Sequence, residues 1–347
     1  MRTRQPTGTK APRPKRIRPA LLAWYRAERR DLPWRRTRDP YAIWVSEIML
    51  QQTRVETVIP FYERFLERFP TVDALASAHD EDVLAAWSGL GYYRRARGLH
   101  AAASIVAREH AGTVPGDLER LRALPGIGEY TAAAIASIAF GHEAAAVDGN
   151  VVRVLARIHG LRGSRDSARL KREVIHLAAA LARGPAPGDW TQTLMELGAV
   201  VCLPRPKCDQ CPVARSCDAH RSGDPSRYPE PAKKPNPRAA SEVLLLARRG
   251  QSIYLEKAAT PTGTAWTLPR ARTREDAARL GFELRSGDPL TSFRHRTYAE
   301  DLRVEVCEAK AGRRGAKGRW FAPDALDRLP LRAPTLKAIK RLRLLSS

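Results

Sequence analysis

Two carboxylates stand in local sequences that would give them different ionisation states. The first is Glu47, in residues 44–53 (WVSEIMLQQT). On a helix its neighbours three and four residues away form a largely apolar face: Ile43, Trp44, Leu50 and Gln51. Because an apolar surrounding disfavours the charged form, we expect a raised pKa that would suit Glu47 to act as a general acid. The alternative is a glutamate at the rim of a core.

The second carboxylate, Asp148, lies in the short connection 147–151 (VDGNV), directly before a predicted helix. Asp148 or Asn150 could serve simply as the N-cap of that helix. A carboxylate at this place could also face a bound sugar and stabilise positive charge that develops at an anomeric carbon. One protonated and one ionised carboxylate form the pair that cleavage of a glycosidic bond requires.

Four of the five cysteines fall within sixteen residues, in the pattern Cys202-x5-Cys208-x2-Cys211-x5-Cys217. Zinc sites of this size usually present two CxxC pairs, and this stretch has one. Four thiolates on so short a segment favour a [4Fe–4S] cluster, with zinc as the alternative. The loop between the first two cysteines carries Arg205 and Lys207, and a bound cluster would hold this loop rigid against a phosphate.

A glycine-rich stretch, LPGIGEYTA at residues 124–132, predicts a tight turn between two helices. Glycines allow a turn with positive φ and a close approach of another backbone, and the N–H groups that begin the second helix can then bind an anion. Such a helix–hairpin–helix holds one DNA phosphate without reading sequence, through the turn residues Gly126, Ile127 and Gly128. An ordinary αα-hairpin with glycines for packing is the alternative.

The composition is strongly basic, with 60 Lys and Arg residues against 37 Asp and Glu, a net charge of +23 over 347 residues. Such a charge attracts polyanions, with nucleic acid the first candidate and an anionic membrane surface the second. Residues 1–18 are basic, rich in proline and free of acids, so we expect a disordered arm. The longest apolar stretch is interrupted, which argues against a membrane-spanning helix.

Cysteine usage and the N-terminal sequence bear on the cellular compartment. A tight cysteine cluster in a long chain is typical of a metal site in a reducing compartment. The basic arm has no apolar segment of a secretory signal. We therefore expect a cytoplasmic, nucleoid-associated bacterial protein; a mitochondrial or nuclear one stays open.

Helical periodicity runs through residues 19–219, and no strand pattern competes with it. It predicts helices at 43–55, 58–66, 83–87, 99–107, 118–124, 131–140, 151–159, 170–181 and 191–200. Residues 220–238 are rich in Pro, Lys and Arg and predict a linker. Residues 239–347 show a β-hairpin pattern, an alternating strand at 302–308 and short helices, which indicates a separate α+β domain.

Taken together, the helical region closely resembles the helix–hairpin–helix DNA glycosylases that carry an iron–sulfur cluster, and within them the adenine DNA glycosylases. The resemblance rests on LPWRRTRDPYAIWVSEIMLQQTRVETVIPFYERF (32–65), GLGYYRRARGLHAAA (89–103), LPGIGEYTAAAI, VDGNVVRVLARI and the cysteine pattern. It implies a six-helix barrel over about 36–148 and a cluster module built from 19–35 and 149–219. It also implies a monomeric enzyme that flips adenine opposite 8-oxoguanine or guanine out of duplex DNA and hydrolyses its N-glycosidic bond.

The resemblance also implies a role for each matching residue. Glu47 would protonate the departing adenine at N7, and Asp148 would stabilise the oxocarbenium-like sugar or trap it covalently. Asn150 would orient Asp148, and Tyr130 would lie near Glu47. The other matches would line the adenine pocket or enter the base stack: Trp34 and Arg35 in the pocket, Gln52 and Tyr92 in the stack. For Trp34 and Tyr92 an ordinary core position is the alternative.

The C-terminal region resembles, more weakly, the MutT-like (Nudix-fold) module with which this family recognises 8-oxoguanine. The matching stretches are WTLPRAR (266–272), SFRH (292–295) and RWFAPDALDRLPLRAP (319–334). The acid-rich helix that binds Mg²⁺ in hydrolysing Nudix enzymes is missing from residues 275–284, so we expect no pyrophosphatase activity.

Two departures from the family pattern affect these expectations. The family's first cysteine spacing has six intervening residues, whereas Cys202 and Cys208 are separated by five, which tightens that loop and alters its phosphate contacts. The family's Phe-Ser-His reader of the oxidised guanine is not intact, because Arg294 or, in another alignment, Tyr298 stands at the serine. Discrimination between 8-oxoguanine and guanine is then weaker or achieved differently.

Two other functions fit parts of the sequence. A bifunctional glycosylase/AP lyase similar to endonuclease III needs a lysine amine near the start of the second hairpin helix, where this chain has Tyr130. A non-catalytic DNA-binding or redox protein would use only the hairpin and the cluster, and would tolerate loss of either carboxylate. The fifth cysteine, Cys307, is expected to be a small buried residue.

Overall fold

The structure, a computed structural model, describes residues 16–231, 237–260, 263–297, 300–311, 318–326 and 329–344. The chain divides into two compact units, Met1–Lys233 and Lys234–Ser347. Most of the predicted basic arm and the alternative reader residue Tyr298 lie outside the described residues. In the described part of the chain, no helix is long and apolar enough to cross a membrane.

The first unit is helical throughout its described residues, apart from one isolated bridge between Ser164 and Glu230. Its α-helices are α1 (Arg18–Glu28), α2 (Pro40–Met49), α3 (Val55–Arg68), α4 (Val72–Ala76), α5 (Asp80–Ala86), α6 (Arg94–Glu109), α7 (Leu118–Ala123), α8 (Glu129–Phe140), α9 (Gly149–Ile158), α10 (Ala168–Ala182), α11 (Pro187–Val200) and α12 (Asp218–Arg221). Residues 36–148 contain seven described helices, one more than periodicity predicts there, because the five-residue α4 has too short an apolar repeat to be predicted.

Two buried cores lie within this unit. The first is built from α2–α8, with side chains drawn from residues 32–146. The second joins the N-terminal residues 17–22 to residues 151–228. Helix α11 packs against both α8 and α9, so the two cores meet along it.

Helix α2 carries the first carboxylate and is set by its ends. Asp39 accepts hydrogen bonds from the N–H groups of Tyr41 and Ala42, and Pro40 occupies the first turn. The helix ends at Met49, six residues before the predicted end. Gln52 takes a left-handed backbone conformation (φ 58°), which a continuing helix excludes.

The stretch predicted as a linker is partly folded onto the helical unit. Tyr228 is buried in the second core, and the buried guanidinium of Arg157 donates to the carbonyl oxygens of Pro225 and Tyr228. Residues 220–231 therefore belong to the first unit. The first strand of the second unit begins at Arg238.

The second unit is a mixed sheet with short helices, in agreement with the α+β prediction. Its strands are β1 (Arg238–Arg249), β2 (Ser252–Thr260), β3 (Gly263–Thr267), β4 (Arg270–Ala271), β5 (Phe282–Leu284), β6 (Thr291–Arg296), β7 (Glu300–Ala311) and β8 (Gly318–Phe321). The long strands β1 and β7 pair in parallel at the centre, and the other pairs are antiparallel. The helices are α13 (Asp276–Arg279), α14 (Pro323–Leu326) and α15 (Ala333–Arg341). Cys307 is fully buried, as expected.

Candidate active site

A pocket that is partly open to solvent lies where α2, α8, α11 and the start of α9 meet. It brings together the candidates Trp34, Arg35, Glu47, Tyr130, Asp148 and Asn150. Among the lining residues that were not singled out from the sequence are Arg30, Gln192, Met195 and Glu196. No lysine is among the described residues that line the pocket.

Glu47 is buried, with 6% of its surface exposed, and it faces this pocket. Burial raises the pKa of Glu47 from 4.5 to about 7; the Tyr130 hydroxyl lowers this pKa, the Asp148 charge raises it and Arg35 lowers it. The direction is the one predicted from the apolar helical face. The raised pKa favours the protonated form of Glu47 near neutral pH, which suits a general acid.

Asp148 is the N-cap of α9, as one of the two sequence-based alternatives expects, and it also lines the pocket. Its Oδ1 accepts hydrogen bonds from the N–H groups of Asn150 (2.9 Å) and Val151 (2.7 Å). Its Oδ2 accepts one from the Asn150 side-chain amide at 2.9 Å, and Asn150 Oδ1 in turn accepts from Arg153 at 3.0 Å. These bonds fix the orientation of the carboxylate at the pocket wall.

Tyr130 is the second residue of α8 and presents its hydroxyl to the pocket. The hydroxyl lies 3.8 Å from the sulfur of Met195 and close enough to Glu47 to influence its pKa. Burial, followed by the charges of Glu47 and Asp148, raises the pKa of Tyr130 well above its usual value. The phenol therefore keeps its proton and acts as a hydrogen-bond donor rather than as a nucleophile.

Glu196 forms the back of the pocket as a buried ion-pair centre. Arg30 donates to it from Nε and Nη2, each at 2.8 Å, and from its backbone N–H at 3.1 Å, and Arg35 donates to it from Nη2 at 2.7 Å. Burial alone would raise the pKa of Glu196, but the two arginines more than offset this effect and hold it at about 2. The pairing joins residues 166 positions apart in the chain, which no local pattern reveals.

Trp34 belongs both to the first core and to the lining of the pocket. It is a core aromatic, packed edge-on against Tyr62 with ring centroids 5.4 Å apart, and it also lines the pocket. Arg35 lines the same wall and is held there by Glu196. Together they give the pocket one flat apolar surface and one fixed cation.

The hairpin turn between α7 and α8 uses its two glycines differently. Gly126 has a positive φ of 79° and lies against Gly98 of α6, where a Cβ would meet backbone at 3.5 Å. Gly128 is extended (φ −94°), and among the described residues nothing lies within 4 Å of a Cβ there. Gly128 is the N-cap of α8, and no side chain caps this helix end. Of the two glycines, only Gly126 therefore has the positive φ that the sequence predicts for the turn. Ile127 between them is buried in the first core.

Gln52 and Tyr92 are exposed and both have left-handed backbones, with φ of 58° and 50°. For Tyr92, whose surface is 47% exposed, this excludes the alternative of a core aromatic. The buried Arg95 lies between the two turns and was also missed from the sequence. Its place on the apolar face of α6, in register with Leu99 and Val106, is the signal that could have revealed it.

The four clustered cysteines line one cavity beside α9; Lys207 is exposed and also lines this cavity, whereas the exposed Arg205 on the same loop does not. The buried guanidinium of Arg157 lies 3.6 Å from the Cys202 sulfur and donates to the carbonyls of neighbouring loop residues. Within the described ranges, no three His, Cys, Asp or Glu side chains are placed to hold a single metal ion. Four thiols around one cavity, with a cation beside them, fit the donor set of a larger anionic cluster.

In the second unit, the residue at the expected reader position is an exposed cation. Arg294 lies on β6 and pairs with Asp301 at 3.0 Å, and its backbone carbonyl oxygen accepts a hydrogen bond from the side-chain ammonium of Lys337 at 2.8 Å. Residues 275–284 contain the four-residue α13 in place of a long acidic helix.

The helical unit matches a known protein family and several known proteins. Residues 45–178 match the family described as HhH-GPD superfamily base excision DNA repair protein. The chain is 49% identical over 207 residues to the human adenine DNA glycosylase, and this match covers 57% of the chain and 38% of that protein. It is 44% identical over 196 residues to the adenine DNA glycosylase of Mycobacterium tuberculosis (strain CDC 1551 / Oshkosh), covering 56% and 64%.

A solved structure of a thermostable thymine-DNA glycosylase is 33% identical and superposes with a TM-score of 0.54, covering 59% of this chain and 94% of that one. The chain spans about two fifths of the length of the human, rat and mouse relatives that it matches. The shared family, the fold and the pocket geometry lead to one conclusion. This chain belongs to the HhH-GPD superfamily of base excision DNA repair proteins, and its helical unit is similar to the adenine DNA glycosylases.

Proposed function

We propose that this protein is a monofunctional DNA glycosylase that removes adenine mispaired with 8-oxoguanine or guanine. The observation that carries the proposal is the pair of carboxylates in one pocket. Glu47 is buried with a pKa of about 7, and Asp148, which lines the same pocket, is held by three hydrogen bonds. Sequence identity of 44–49% to adenine DNA glycosylases supports adenine as the base.

The proposed chemistry assigns one role to each carboxylate. Glu47 gives its proton to N7 of the flipped adenine while the bond between C1′ and N9 breaks and its electron pair leaves with the base. Asp148 stabilises the positive charge on the sugar, or bonds to C1′ until water replaces it. Asn150 holds Asp148 in position, and Tyr130 donates to Glu47 once the latter is ionised.

Base removal without strand cleavage follows from the residue at position 130. A lyase forms a Schiff base between a lysine amine and C1′. Tyr130 offers a phenol whose raised pKa keeps it protonated, and no lysine lines the described pocket. We therefore propose that the product is an abasic site in an intact strand.

DNA binding is proposed to use the hairpin turn and the two left-handed residues. The N-terminus of α8 at Gly128 is open and without a capping side chain, which suits a phosphate. Gln52 and Tyr92 would enter the base stack beside the flipped adenine, and Trp34 and Arg35 would line its pocket. The charge of +23 supplies the non-specific attraction.

The four cysteines are proposed to bind a [4Fe–4S] cluster. When bound, such a cluster would cross-link the segment 202–217 and hold its loop in one conformation. Arg157 would balance part of the thiolate charge, and Arg205 and Lys207 would face a phosphate from the fixed loop. The second unit is proposed to be a Nudix-like module that reads the base opposite adenine without hydrolysing nucleotides.

A panel of duplexes tests this function. The purified protein is incubated with adenine opposite 8-oxoguanine, guanine or thymine, and with an oxidised pyrimidine opposite guanine, and each free base is identified by chromatography. We expect free adenine from the first two duplexes, an unbroken strand and no complex trapped by borohydride. Release of the oxidised pyrimidine together with efficient trapping would replace this proposal by the bifunctional alternative.

A further inference from the structure

The buried Arg95 binds two separate turns at once. Its Nη1 donates to the carbonyl oxygens of Ile48, Met49 and Gln51 at 2.9, 2.8 and 2.6 Å. Its Nη2 reaches the Thr53 hydroxyl at 3.1 Å and, in the other turn, the carbonyl oxygens of residues 90 and 91 at 3.2 and 3.3 Å. One guanidinium fork thus connects the turn after α2 to the turn before α6.

Each of these turns contains one exposed residue in the left-handed region. Five non-glycine residues in the described part of the chain have positive φ, and two of them, Gln52 and Tyr92, flank Arg95. Such a conformation is strained for these residue types and persists only where the surroundings fix it. The Arg95 guanidinium also lies 5.6 Å from the centre of the Tyr92 ring, so it supports this side chain directly.

The turns lie next to the phosphate-binding hairpin. A cleft lined by Arg95 and Gln51 is bounded on its other side by Gly126, Ile127 and Gly128. The two left-handed residues are therefore placed close to the surface that would contact DNA.

We propose that Arg95 is the positioning residue that holds Gln52 and Tyr92 as one rigid pair, and so controls unstacking of the adenine. This inference rests on the proposed glycosylase function. Lysine keeps the charge of Arg95 but cannot reach both turns with a planar fork. Loss of the fork would let each turn move independently, and the pair would no longer enter the stack together.

Unstacking is measured with 2-aminopurine in place of adenine opposite 8-oxoguanine, because its fluorescence rises when it leaves the stack. The background is Asp148→Asn, which binds without reacting. Arg95→Lys is compared with Arg97→Lys, a matched change at an exposed position of the same helix. We expect Arg95→Lys to lose most of the fluorescence rise at saturating protein, and Arg97→Lys to keep it.

A double-mutant cycle separates positioning from general damage. In a Gln52→Ala/Tyr92→Ala background, adding Arg95→Lys should change the residual rise by less than about twofold, because the pair that Arg95 holds is already gone. In the Asp148-intact enzyme, Arg95→Lys should slow adenine release by about tenfold or more without moving its pH profile. Thermal unfolding curves check that each variant is folded. If Arg95→Lys does not fold, Arg95→Gln is measured in its place.

The outcomes distinguish the inference from the function on which it rests. A full fluorescence rise with Arg95→Lys overturns the positioning role while the glycosylase proposal stands. The same holds if Arg95→Lys lowers the rise in the Gln52→Ala/Tyr92→Ala background by the same factor as in the background that keeps Gln52 and Tyr92. Bound DNA with no rise in the Asp148→Asn parent overturns base flipping itself, and with it this inference.

Discussion

Replacement of Glu47 by glutamine should stabilise the protein at alkaline pH while it destroys catalysis. The folded-state pKa of Glu47 is about 7 against an ordinary 4.5, so the folded state binds this proton more tightly than the unfolded chain. The stability that the proton contributes is fully present below pH 4.5 and is lost as the pH rises through about 7. At 1.36 kcal/mol per pH unit, the difference amounts to about 3 kcal/mol at pH 8 and above.

The measurement is unfolding of the wild type and of Glu47→Gln at pH 5 and pH 8, followed by far-UV circular dichroism. We expect an advantage for Glu47→Gln of about 1 kcal/mol at pH 5 that grows to about 3 kcal/mol at pH 8, because glutamine stays neutral at both pH values.

Glu196 in the same pocket provides a control, because its pKa is lowered whereas the pKa of Glu47 is raised. Its pKa is held at about 2, so its contribution is present above pH 4.5 and is lost only as the pH falls through 2. Glu196→Gln should cost about 3–5 kcal/mol at both pH values, because Arg30 and Arg35 lose their buried partner. Equal stability of Glu47→Gln and wild type at pH 8, or a difference independent of pH, would refute the reasoning about Glu47.

Three further predictions address the chemistry, the metal and the opposite base. Asp148→Asn should lower adenine release by about 10²–10³-fold or more without weakening DNA binding, since it removes a negative charge from the binding face; gel-shift and single-turnover assays on one duplex check this, and weakened binding would contradict it. Cys211→Ser should remove the brown visible absorbance expected of a [4Fe–4S] protein; a colourless wild type containing zinc would show that the metal assignment is wrong. Adenine opposite 8-oxoguanine should be released faster than adenine opposite guanine under single-turnover conditions; equal rates would mean that Arg294 does not replace the family's serine in reading the lesion.

The helices and the two carboxylates could be predicted from the sequence because their signals are local. Helical periodicity marks most of the helices, and the apolar neighbours of Glu47 predict the direction of its pKa. The cap position of Asp148 is encoded locally in VDGNV. These features depend on residues within one or two turns of each other.

The partners across the fold could not be predicted in this way. The Glu196 pairs with Arg30 and Arg35 span more than 160 residues, and Arg95 reaches acceptors up to 47 residues away. Likewise, the docking of residues 220–231 depends on Tyr228 entering a core formed elsewhere. The high content of prolines and cations predicted a linker at residues 220–238, and composition gives no sign that the single aromatic residue Tyr228 is buried.

The most direct test of the two-carboxylate pocket is adenine release from one duplex by wild type and Glu47→Gln at equal occupancy. The duplex carries adenine opposite 8-oxoguanine, and the reaction is followed under single-turnover conditions. We predict that the wild type releases adenine to completion and leaves a strand that breaks only in alkali. Loss of the acid should slow Glu47→Gln by about 10²–10⁴-fold. Release by Glu47→Gln at the wild-type rate, or none by the wild type, would contradict the account.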